Sequence, residues 1–323
     1  MVLNFAPLID HKDNKEIKSV LLFAQYYQEY YKENFRDLSF IILDDKRVLG
    51  YVLCAALNSQ LTLPEEAIKI ILLAELLPNE KKKIYQGILD KLGALAQENH
   101  CQKIIIKDHL LMDKLSPVGE LLFNNRFHSL LTFDMQIDYA NFDVSSYSAS
   151  LRKSYKSLVN WGRKELKVSY LNQDNPDLNM LKKFQEFHQK ISGRKTRSDE
   201  SWLLQYQMIQ EGMAELILAE YNDTLVAGSL YADYGDTSVY FTGVYERDLF
   251  EYGISHFLLY EGICRSYGRG NTTRFSLGHF DTDIEDSKWY NIQFFKKGFC
   301  GKFEPTILWS RDLMNSNCIK ESA

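Results

Sequence analysis

The stretch ELILAEYNDTLVAGSLY, residues 215–231, decides the fold of the second half of this chain. Two apolar runs flank the dipeptide Asn222-Asp223, which is typical of a tight turn between antiparallel strands. The same pattern occurs earlier as FIILDDKRVLGYVLCA, residues 40–55. In both copies a glycine follows the turn aspartate at the same spacing, and these glycines are Gly50 and Gly228. We therefore predict two related hairpins, one in each half of the chain.

The repetition extends beyond the hairpins, because each half continues with a third strand, an amphipathic helix, a short strand, a helix and a closing strand. In the first half we predict helices over 17–31, 84–92 and 117–125, and strands over 40–43, 48–55, 103–107 and 129–137. In the second half we predict helices over 178–190, 254–262 and 288–297, and strands over 215–221, 225–231, 237–245, 273–277 and 302–308. This order predicts an α/β (α+β) protein of two tandem domains, each with a mixed, mostly antiparallel sheet flanked by helices.

A basic segment joins the two halves. Residues 151–167 contain six basic side chains and one acidic side chain, and we predict a basic linker helix within residues 146–170. The flanking domains are then 1–145 and 171–323. The whole chain has a net charge of −5, which argues against nucleic-acid binding as its main task. The local basic charge instead favours a small anionic partner.

Length and composition indicate a globular protein. The 323 residues exceed one ordinary core, and 45% hydrophobic with 25% charged residues is the balance of a folded, soluble chain. The longest apolar run, residues 68–77, is too short for a membrane span, and residues 1–15 lack the apolar stretch of a secretory signal. We therefore expect a cytoplasmic protein without a membrane span. The sequence is compatible with a monomer or a homodimer.

The cysteines and histidines form no metal-binding pattern. The seven histidines show no H-x-H or H-x-x-x-H spacing. The five cysteines are scattered, with no C-x-x-C pair: Cys54, Cys101, Cys264, Cys300 and Cys318. We interpret them as reduced thiols that serve as small apolar side chains, and we expect no metal ion.

The C-terminal part, residues 256–305, carries the likeness to a known family. Its motifs are HFLLYEGICRSYG (256–268), RFSLG (274–278) and NIQFFKKGFCGKFEP (291–305). An antiparallel meander that leads through a loop into a helix and a parallel strand resembles the GNAT superfamily of N-acyltransferases. The Phe-Lys pair ahead of a glycine-containing turn is similar to the FemAB and BioF2-like branch, in which two such domains occur in tandem. Those positions are Phe295, Lys296, Gly298 and Phe299.

The resemblance implies an acyl-CoA site in the second domain, with the pantetheine arm between splayed strands over 237–245 and 273–277. The common phosphate loop of the family is R-x-x-G-x-G/A, whereas this chain has Arg247 followed, after five residues, by Gly253-Ile254-Ser255. The backbone N–H groups at a helix N-terminus still bind a pyrophosphate, so these residues stay our donor-binding candidates. Coenzyme A thioester is the implied co-substrate.

Acyl transfer from a thioester to an amine needs a donor to the oxyanion and protonation of the leaving thiolate. A backbone N–H near Thr242, Gly243 and Val244 is our candidate for the oxyanion, although Gly243 equally fits a glycine that eases a sheet bend. The family often places a tyrosine in the helix before the last strand, where this chain has phenylalanines and only Tyr290 nearby. Lys296 is our candidate for charge stabilisation; its alternative is a solvated surface lysine.

The segment FHQKISGRKTRSDESW, residues 187–202, is our candidate for acceptor binding. A glycine ends the preceding helix, and the basic side chains that follow suit a phosphate, with an aromatic ring to stack on a base or sugar. The candidates are Arg194, Lys195, Arg197 and Trp202, with His188 as a candidate base. The alternative is a solvated basic loop with a helix-capping histidine.

A second polar cluster follows the strand predicted at 273–277. His279 and Asp281 are candidates for a base pair and Ser276 for substrate binding, since ligands collect at strand C-terminal ends. Ordinary loop polarity explains the same residues. Tyr231 and Tyr240 are further substrate-binding candidates on strands that we expect to face the cleft.

Three functions remain open. The first is an acyl-CoA-dependent N-acyltransferase that moves an acetyl or 3-hydroxybutanoyl group to a nucleotide-linked, dTDP-type amino-deoxy sugar of surface-glycan (O-antigen or capsule) biosynthesis, as resemblance to the FdhC-like branch implies. The second is a Fem-type enzyme that uses aminoacyl-tRNA and a peptidoglycan precursor, which is the one case with a nucleic-acid partner. The third is a non-catalytic binding protein with the same fold.

Overall fold

The computed structural model describes residues 3–8, 15–64, 66–73, 75–111, 114–281 and 284–313, except the side chains of residues 15 and 16. Within these ranges the α-helices are α1 (Lys15–Tyr31), α2 (Pro78–Glu98), α3 (Pro117–Asn124), α4 (Val144–Ser150), α5 (Lys153–Glu165), α6 (Leu178–Ser192), α7 (Asp199–Gln210), α8 (Ile254–Arg269) and α9 (Ser287–Lys297). One cysteine, Cys318, lies outside the described residues.

The strands of the first part of the chain are β1 (Leu3–Pro7), β2 (Phe35–Asp37), β3 (Phe40–Asp44), β4 (Arg47–Leu53), β5 (Ala55–Leu57), β6 (Gln60–Thr62), β7 (Lys69–Leu72), β8 (Lys103–His109) and β9 (His128–Asp138). Those that follow are β10 (Lys167–Leu171), β11 (Ala214–Tyr221), β12 (Thr224–Tyr234), β13 (Thr237–Tyr245), β14 (Arg274–Phe280) and β15 (Lys302–Asp312).

Contacts divide the chain into two compact units. Unit 1 comprises residues 1–14, 31–133 and 304–323, and unit 2 comprises residues 15–30 and 134–303. Both are mixed α/β bodies whose sheets are mostly antiparallel, so the predicted fold class is confirmed. Helix α1, which the repeat pattern assigned to the first half, packs in the core of unit 2 through Phe23 and Tyr26.

Unit 1 contains the first copy of the hairpin. Strands β3 and β4 pair antiparallel, and the order β1-β3-β4-β7 forms one small sheet. Strand β5 pairs antiparallel with β6, and β6 pairs parallel with β8. Residues 306–312 of β15 pair antiparallel with the other edge of β8. The buried stripe of α2, which contains Ile84, Ile88 and Leu92, covers this core as the helical periodicity predicted.

Unit 2 contains the second copy of the hairpin and residues 256–303 of the stretch 256–305. Strands β10 to β13 form an antiparallel meander, and β14 lies parallel to β13. The turn at Asn222 and Asp223 has positive φ at both residues (51° and 57°), as a type I′ hairpin turn requires. Helices α5 and α8 belong to one core cluster, in which Gly162 of α5 lies against the Phe257 side chain of α8. Helices α6 and α7 belong to a second core cluster.

Two elements of unit 2 were missed in the sequence. Helix α7 occupies residues that we interpreted as loop, and its N-cap is the Ser198 hydroxyl, which accepts a hydrogen bond from the Ser201 backbone N–H. Strand β10 begins at Lys167, which we placed in the linker helix. The linker itself forms two helices, α4 and α5.

Candidate active site

The parallel strands β13 and β14 separate soon after they begin. Only three residue pairs join them, and the last pair is Val239 with Ser276. Residues 240–245 and 277–280 of the same two strands form no further pair with each other. A parallel ladder that ends early leaves backbone N–H and C=O groups at the gap, where a ligand can satisfy them. Unit 2 thus has the diverging strands that the sequence led us to expect.

Strand β13 is distorted where the gap opens. Opposite β12, Leu230 pairs with Thr242 and Tyr231 with Tyr240, so Phe241 is an extra bulged residue. Of the oxyanion candidates, Thr242 and Val244 are buried and Gly243 is half-buried.

A Cβ built at Gly243 would lie 1.7 Å from the hydroxyl oxygen of Tyr240. The close contact with this side chain explains why a glycine stands there. A steric requirement at Gly243 therefore stands beside the alternative that this glycine eases a bend in the sheet.

A histidine–carboxylate pair lies on the diverging part of β14. His279 Nδ1 is 2.7 Å from Asp134 Oδ1, a residue of β9. Since the carboxylate accepts from Nδ1–H, the neutral imidazole keeps the lone pair on Nε2. The structure thus pairs His279 with Asp134; Asp281 is an exposed residue whose backbone N–H donates to the side-chain oxygen of Gln293. No local pattern predicted this pair, because the two residues are 145 positions apart.

Ser276 and Lys296 lie beside the same strand. The Ser276 hydroxyl accepts a hydrogen bond of 3.1 Å from the backbone N–H of Gly278. Gly278 has a φ of 90°, and a Cβ at this position would lie 3.6 Å from Lys296 Nζ. The half-buried Lys296 of α9 thus approaches the backbone of β14 next to His279.

The donor-binding candidates lie at the N-terminus of α8. Gly253 has a φ of 81° and connects a 3₁₀ helix, Arg247–Tyr252, to Ile254, the first residue of α8. Ile254 is buried and Ser255 is half-buried, while Arg247 is exposed on the 3₁₀ helix. The first backbone N–H groups of this 16-residue helix form a site of positive potential.

Two further side chains at this helix end were missed in the sequence. The guanidinium of Arg152 lies over the rings of Tyr155 and Phe294, at 4.0 and 5.2 Å from their centroids. His256, in the first turn of α8, has a pKa lowered to about 4, mainly by burial and additionally by Arg152. Its Nδ1 is buried without a hydrogen-bond partner among the described residues. The basic linker was visible in the sequence, but the position of Arg152 beside α8 was not.

The acceptor candidates of the α6–α7 segment separate into two groups. Arg197 is half-buried, and its Nε donates to Tyr26 of α1 at 2.9 Å. Its Nη1 lies 3.1 Å from His188 Nε2, so the guanidinium donates and the imidazole accepts. By contrast, Arg194 and Lys195 are exposed; Lys195 pairs with Asp199 at 3.0 Å.

His188 and Trp202 have a different environment from the one predicted. Burial and the charge of Arg197 lower the pKa of His188 to about 4, and its Nε2 lone pair is already engaged by that guanidinium. This geometry opposes proton uptake, so it argues against the predicted role as a base. Trp202 of α7 is only 4% exposed, and its ring packs edge-on against His188 of α6, so it offers no free face to a ligand.

Tyr231 and Tyr240 also differ from each other. Tyr231 is 1% exposed, and its hydroxyl donates to the Leu258 carbonyl at 2.6 Å, so it is a core residue rather than a substrate contact. Tyr240 lies at the opening between β13 and β14, next to Gly243. Among the residues that the structure describes, no group of His, Cys, Asp and Glu side chains is arranged to hold a metal ion. In the same ranges no helix is both long and apolar enough to cross a bilayer.

Comparison with known proteins gives the same fold. Residues 152–287 match the model of the acetyltransferase (GNAT) domain family. FemX aligns with a TM-score of 0.66 at 14% identity, over 95% of this chain and 97% of that chain. L-PGS from Bacillus licheniformis aligns with a TM-score of 0.56 at 12% identity, over 94% and 90% of the two chains.

A tandem GNAT protein from the clavulanic acid biosynthesis pathway aligns with a TM-score of 0.53 at 9% identity, over 96% of this chain and 98% of that chain. A search of curated proteins returns no match to the chain. Identities this low establish the fold alone. The chain therefore has a tandem GNAT fold, and residues 152–287 carry the signature of a GNAT acetyltransferase domain.

Proposed function

We propose that this protein is an N-acyltransferase that moves an acyl group from acyl-CoA to the amine of a nucleotide-linked amino sugar, of the dTDP-type used for bacterial surface glycans. The observation that carries the proposal is the separation of β13 from β14 after three residue pairs, within the part that matches the acetyltransferase family. Acetyl and 3-hydroxybutanoyl groups are the acyl groups we propose, and the cytoplasm is the proposed location.

We assign the thioester arm of the acyl donor to the gap between β13 and β14. The phosphates of coenzyme A would then meet the N-terminus of α8, at residues 253–255. Arg152 supplies a fixed positive charge there, since its guanidinium is held over two aromatic faces rather than by a carboxylate in the described contacts. A helix end with one such guanidinium offsets the weak match of the sequence to the family's phosphate loop.

We assign the nucleotide diphosphate of the acceptor to the basic segment between α6 and α7. Arg194 is exposed and lines an open surface pocket with Lys190. Arg197 is already oriented by Tyr26 and His188, so little side-chain entropy is lost when it binds a phosphate. In this proposal His188 positions Arg197, and Trp202 supports the segment from the core.

The chemistry assigns one role to each strand. The backbone N–H groups around Gly243 of β13 polarise the thioester carbonyl and stabilise the oxyanion. His279 of β14, oriented by Asp134, takes the proton of the attacking amine on Nε2. Lys296 adds positive charge close to the same strand.

A Fem-type enzyme is the alternative candidate. The similarity to FemX covers 95% of this chain, which is compatible with a Fem-type enzyme that takes an amino acid from aminoacyl-tRNA. The two candidates differ in the donor. Transfer from acyl-CoA supports the first, and transfer of labelled amino acid from aminoacyl-tRNA supports the second.

The test measures thiol release. The full chain is mixed with acetyl-CoA or 3-hydroxybutanoyl-CoA and a panel of UDP- and dTDP-linked amino sugars, and free thiol is followed with a colorimetric reagent. We expect thiol only when an amino sugar is present. Absence of thiol with every acceptor, together with no thermal shift on adding coenzyme A, would remove the acyl-CoA proposal.

Acceptor binding is tested with Arg194→Ala and a matched control. Removal of a phosphate contact of about 1.5–3 kcal/mol raises KM for the amino sugar by roughly 10- to 100-fold and leaves kcat unchanged, because the contact is remote from the reacting amine. Lys182→Ala removes the same charge from an exposed position on α6 and is expected to leave KM unchanged. An equal fall in kcat and kcat/KM for Arg194→Ala would contradict the assigned role.

A further inference from the structure

Helix α1 packs on the distorted part of β13. The rings of Phe23 and Tyr26 lie 4.8 and 4.7 Å from the ring of Phe241, measured between centroids. Phe241 is the bulged residue of β13, and it follows Tyr240, the first residue of that strand beyond its pairs with β14. Both α1 rings are only 3% exposed, so the bulge rests against a close-packed apolar face. The part of β13 that borders the gap is therefore held by α1.

The hydroxyl of Tyr26 contacts the basic segment between α6 and α7. Its oxygen accepts a hydrogen bond of 2.9 Å from Arg197 Nε. Arg197 Nη1 donates to Thr196 Oγ1 at 3.2 Å and to His188 Nε2 at 3.1 Å. The third nitrogen, Nη2, donates to no group of the described residues, and it is not sealed from solvent. A guanidinium that is fixed through two nitrogens thus presents the third to a ligand.

One side chain therefore joins the two parts of the proposed site. The Tyr26 ring contacts the bulge of β13, which precedes the backbone that we assign to the oxyanion. The hydroxyl of the same ring holds Arg197, which we assign to the acceptor diphosphate. A phenol is a rigid group, so the distance between these two contacts is fixed. A displacement of about 1 Å between reacting groups can lower a rate roughly 100-fold, and the spacing of the two contacts therefore bears on turnover.

We propose that Tyr26 is a positioning residue that sets the distance between the acceptor diphosphate and the thioester carbonyl. This inference rests on the proposed acyl-CoA function, and it adds α1 to the active site although α1 lies outside the residues 152–287 that match the family. Tyr26 is buried and acts through Arg197 at one end and through Phe241 at the other. A phenylalanine would supply the packing alone, so the hydroxyl distinguishes a positioning role from a structural one.

Calorimetry of dTDP binding to the full chain tests the hydroxyl. Tyr26→Phe keeps the ring and removes the acceptor of Arg197 Nε, so we expect the Kd for dTDP to rise about tenfold as the guanidinium loses orientation. Tyr27→Phe is the matched control, because Tyr27 packs beside Tyr26 and accepts no hydrogen bond from Arg197; its Kd should equal that of wild type. In an Arg197→Ala background, Tyr26→Phe should have no further effect. Multiplicative losses in the double variant would overturn the role.

The kinetics of Phe241→Leu test the ring contact. This change loosens the packing between α1 and the bulge but leaves Arg197 bonded to Tyr26. We expect kcat in the thiol-release assay to fall about tenfold while the Kd for dTDP stays as in wild type, because each substrate still binds but the two are less well aligned. An unchanged kcat, or an equal loss of dTDP affinity, would overturn the spacing role.

The same titrations separate this inference from the proposed function. If Arg197→Ala weakens dTDP binding and Tyr26→Phe does not, the acceptor site stands and the role of Tyr26 alone is overturned. If wild type and Arg197→Ala bind dTDP equally well, Arg197 is not an acceptor contact and the role of Tyr26 falls with it. If wild type binds no dTDP, the dTDP-type acceptor of the proposed function is wrong and this inference fails too.

Discussion

The burial of His188 beside Arg197 makes the stability of this protein depend on pH. His188 is 8% exposed, and burial followed by the charge of Arg197 lowers its pKa to about 4, against 6.5 for the free side chain. Between these two values the unfolded chain binds more protons than the folded chain. This histidine's contribution to stability is therefore complete above pH 6.5 and is lost as the pH falls toward 4.

The magnitude follows from the two pKa values. At pH 5 a side chain that titrates at about 4 when folded and at 6.5 when unfolded lowers the free energy of unfolding by about 2 kcal/mol, relative to pH 8. Replacing His188 with glutamine removes this dependence, while the amide oxygen still accepts from Arg197. The His188→Gln variant should consequently lose about 2 kcal/mol less than wild type between pH 8 and pH 5.

Urea denaturation of wild type and His188→Gln at both pH values, followed by tryptophan fluorescence, measures the difference. The difference between the two proteins cancels the contributions of other titrating groups to the free energy of unfolding. These groups include His256, whose pKa is also lowered to about 4. The variant should lose less free energy of unfolding than wild type when the pH falls from 8 to 5. If both proteins lose the same free energy, His188 is not held neutral by its burial beside Arg197, and the positioning role fails.

Three further perturbations address the active site. Asp134→Asn removes the charge that orients His279 at 2.7 Å, and we expect kcat to fall roughly 100-fold with little change in KM, measured by thiol release. Gly243→Ala places a methyl group 1.7 Å from the Tyr240 hydroxyl, next to the candidate oxyanion site, so turnover should drop at least roughly tenfold; unchanged kinetics would contradict the contact. Arg152→Ala should weaken coenzyme A binding about 10-fold in calorimetry, whereas an equal affinity would remove Arg152 from the donor site.

Local patterns predicted much of the fold. The turn at Asn222-Asp223 and the spacing to Gly228 predicted β11 and β12 because a tight hairpin has strong sequence preferences. The stripe of α2 and the N-terminal end of α8 followed from helical periodicity alone. Helix α7 was missed because the basic residues before it indicated a loop, although Ser198 ahead of Asp199 and Glu200 is a recognisable N-cap signal.

Contacts between distant residues could not be predicted in this way. His279 pairs with Asp134, and Arg197 bonds Tyr26 across 171 positions, because neither local propensity nor periodicity encodes which elements meet. The pattern over residues 17–31 predicted a helix but not the core against which α1 packs. Trp202 illustrates the opposite error, since a tryptophan beside basic residues suggested a ligand platform and is instead a core residue of α7.

A crystal structure with a bound, non-hydrolysable acyl-CoA analogue tests the central claim most directly. We predict that the acyl carbonyl oxygen lies about 3 Å from a backbone nitrogen in residues 242–244, with the pantetheine arm between β13 and β14 and the phosphates at residues 253–255. A complex in which side chains fill that gap, or in which coenzyme A binds elsewhere, would contradict the account.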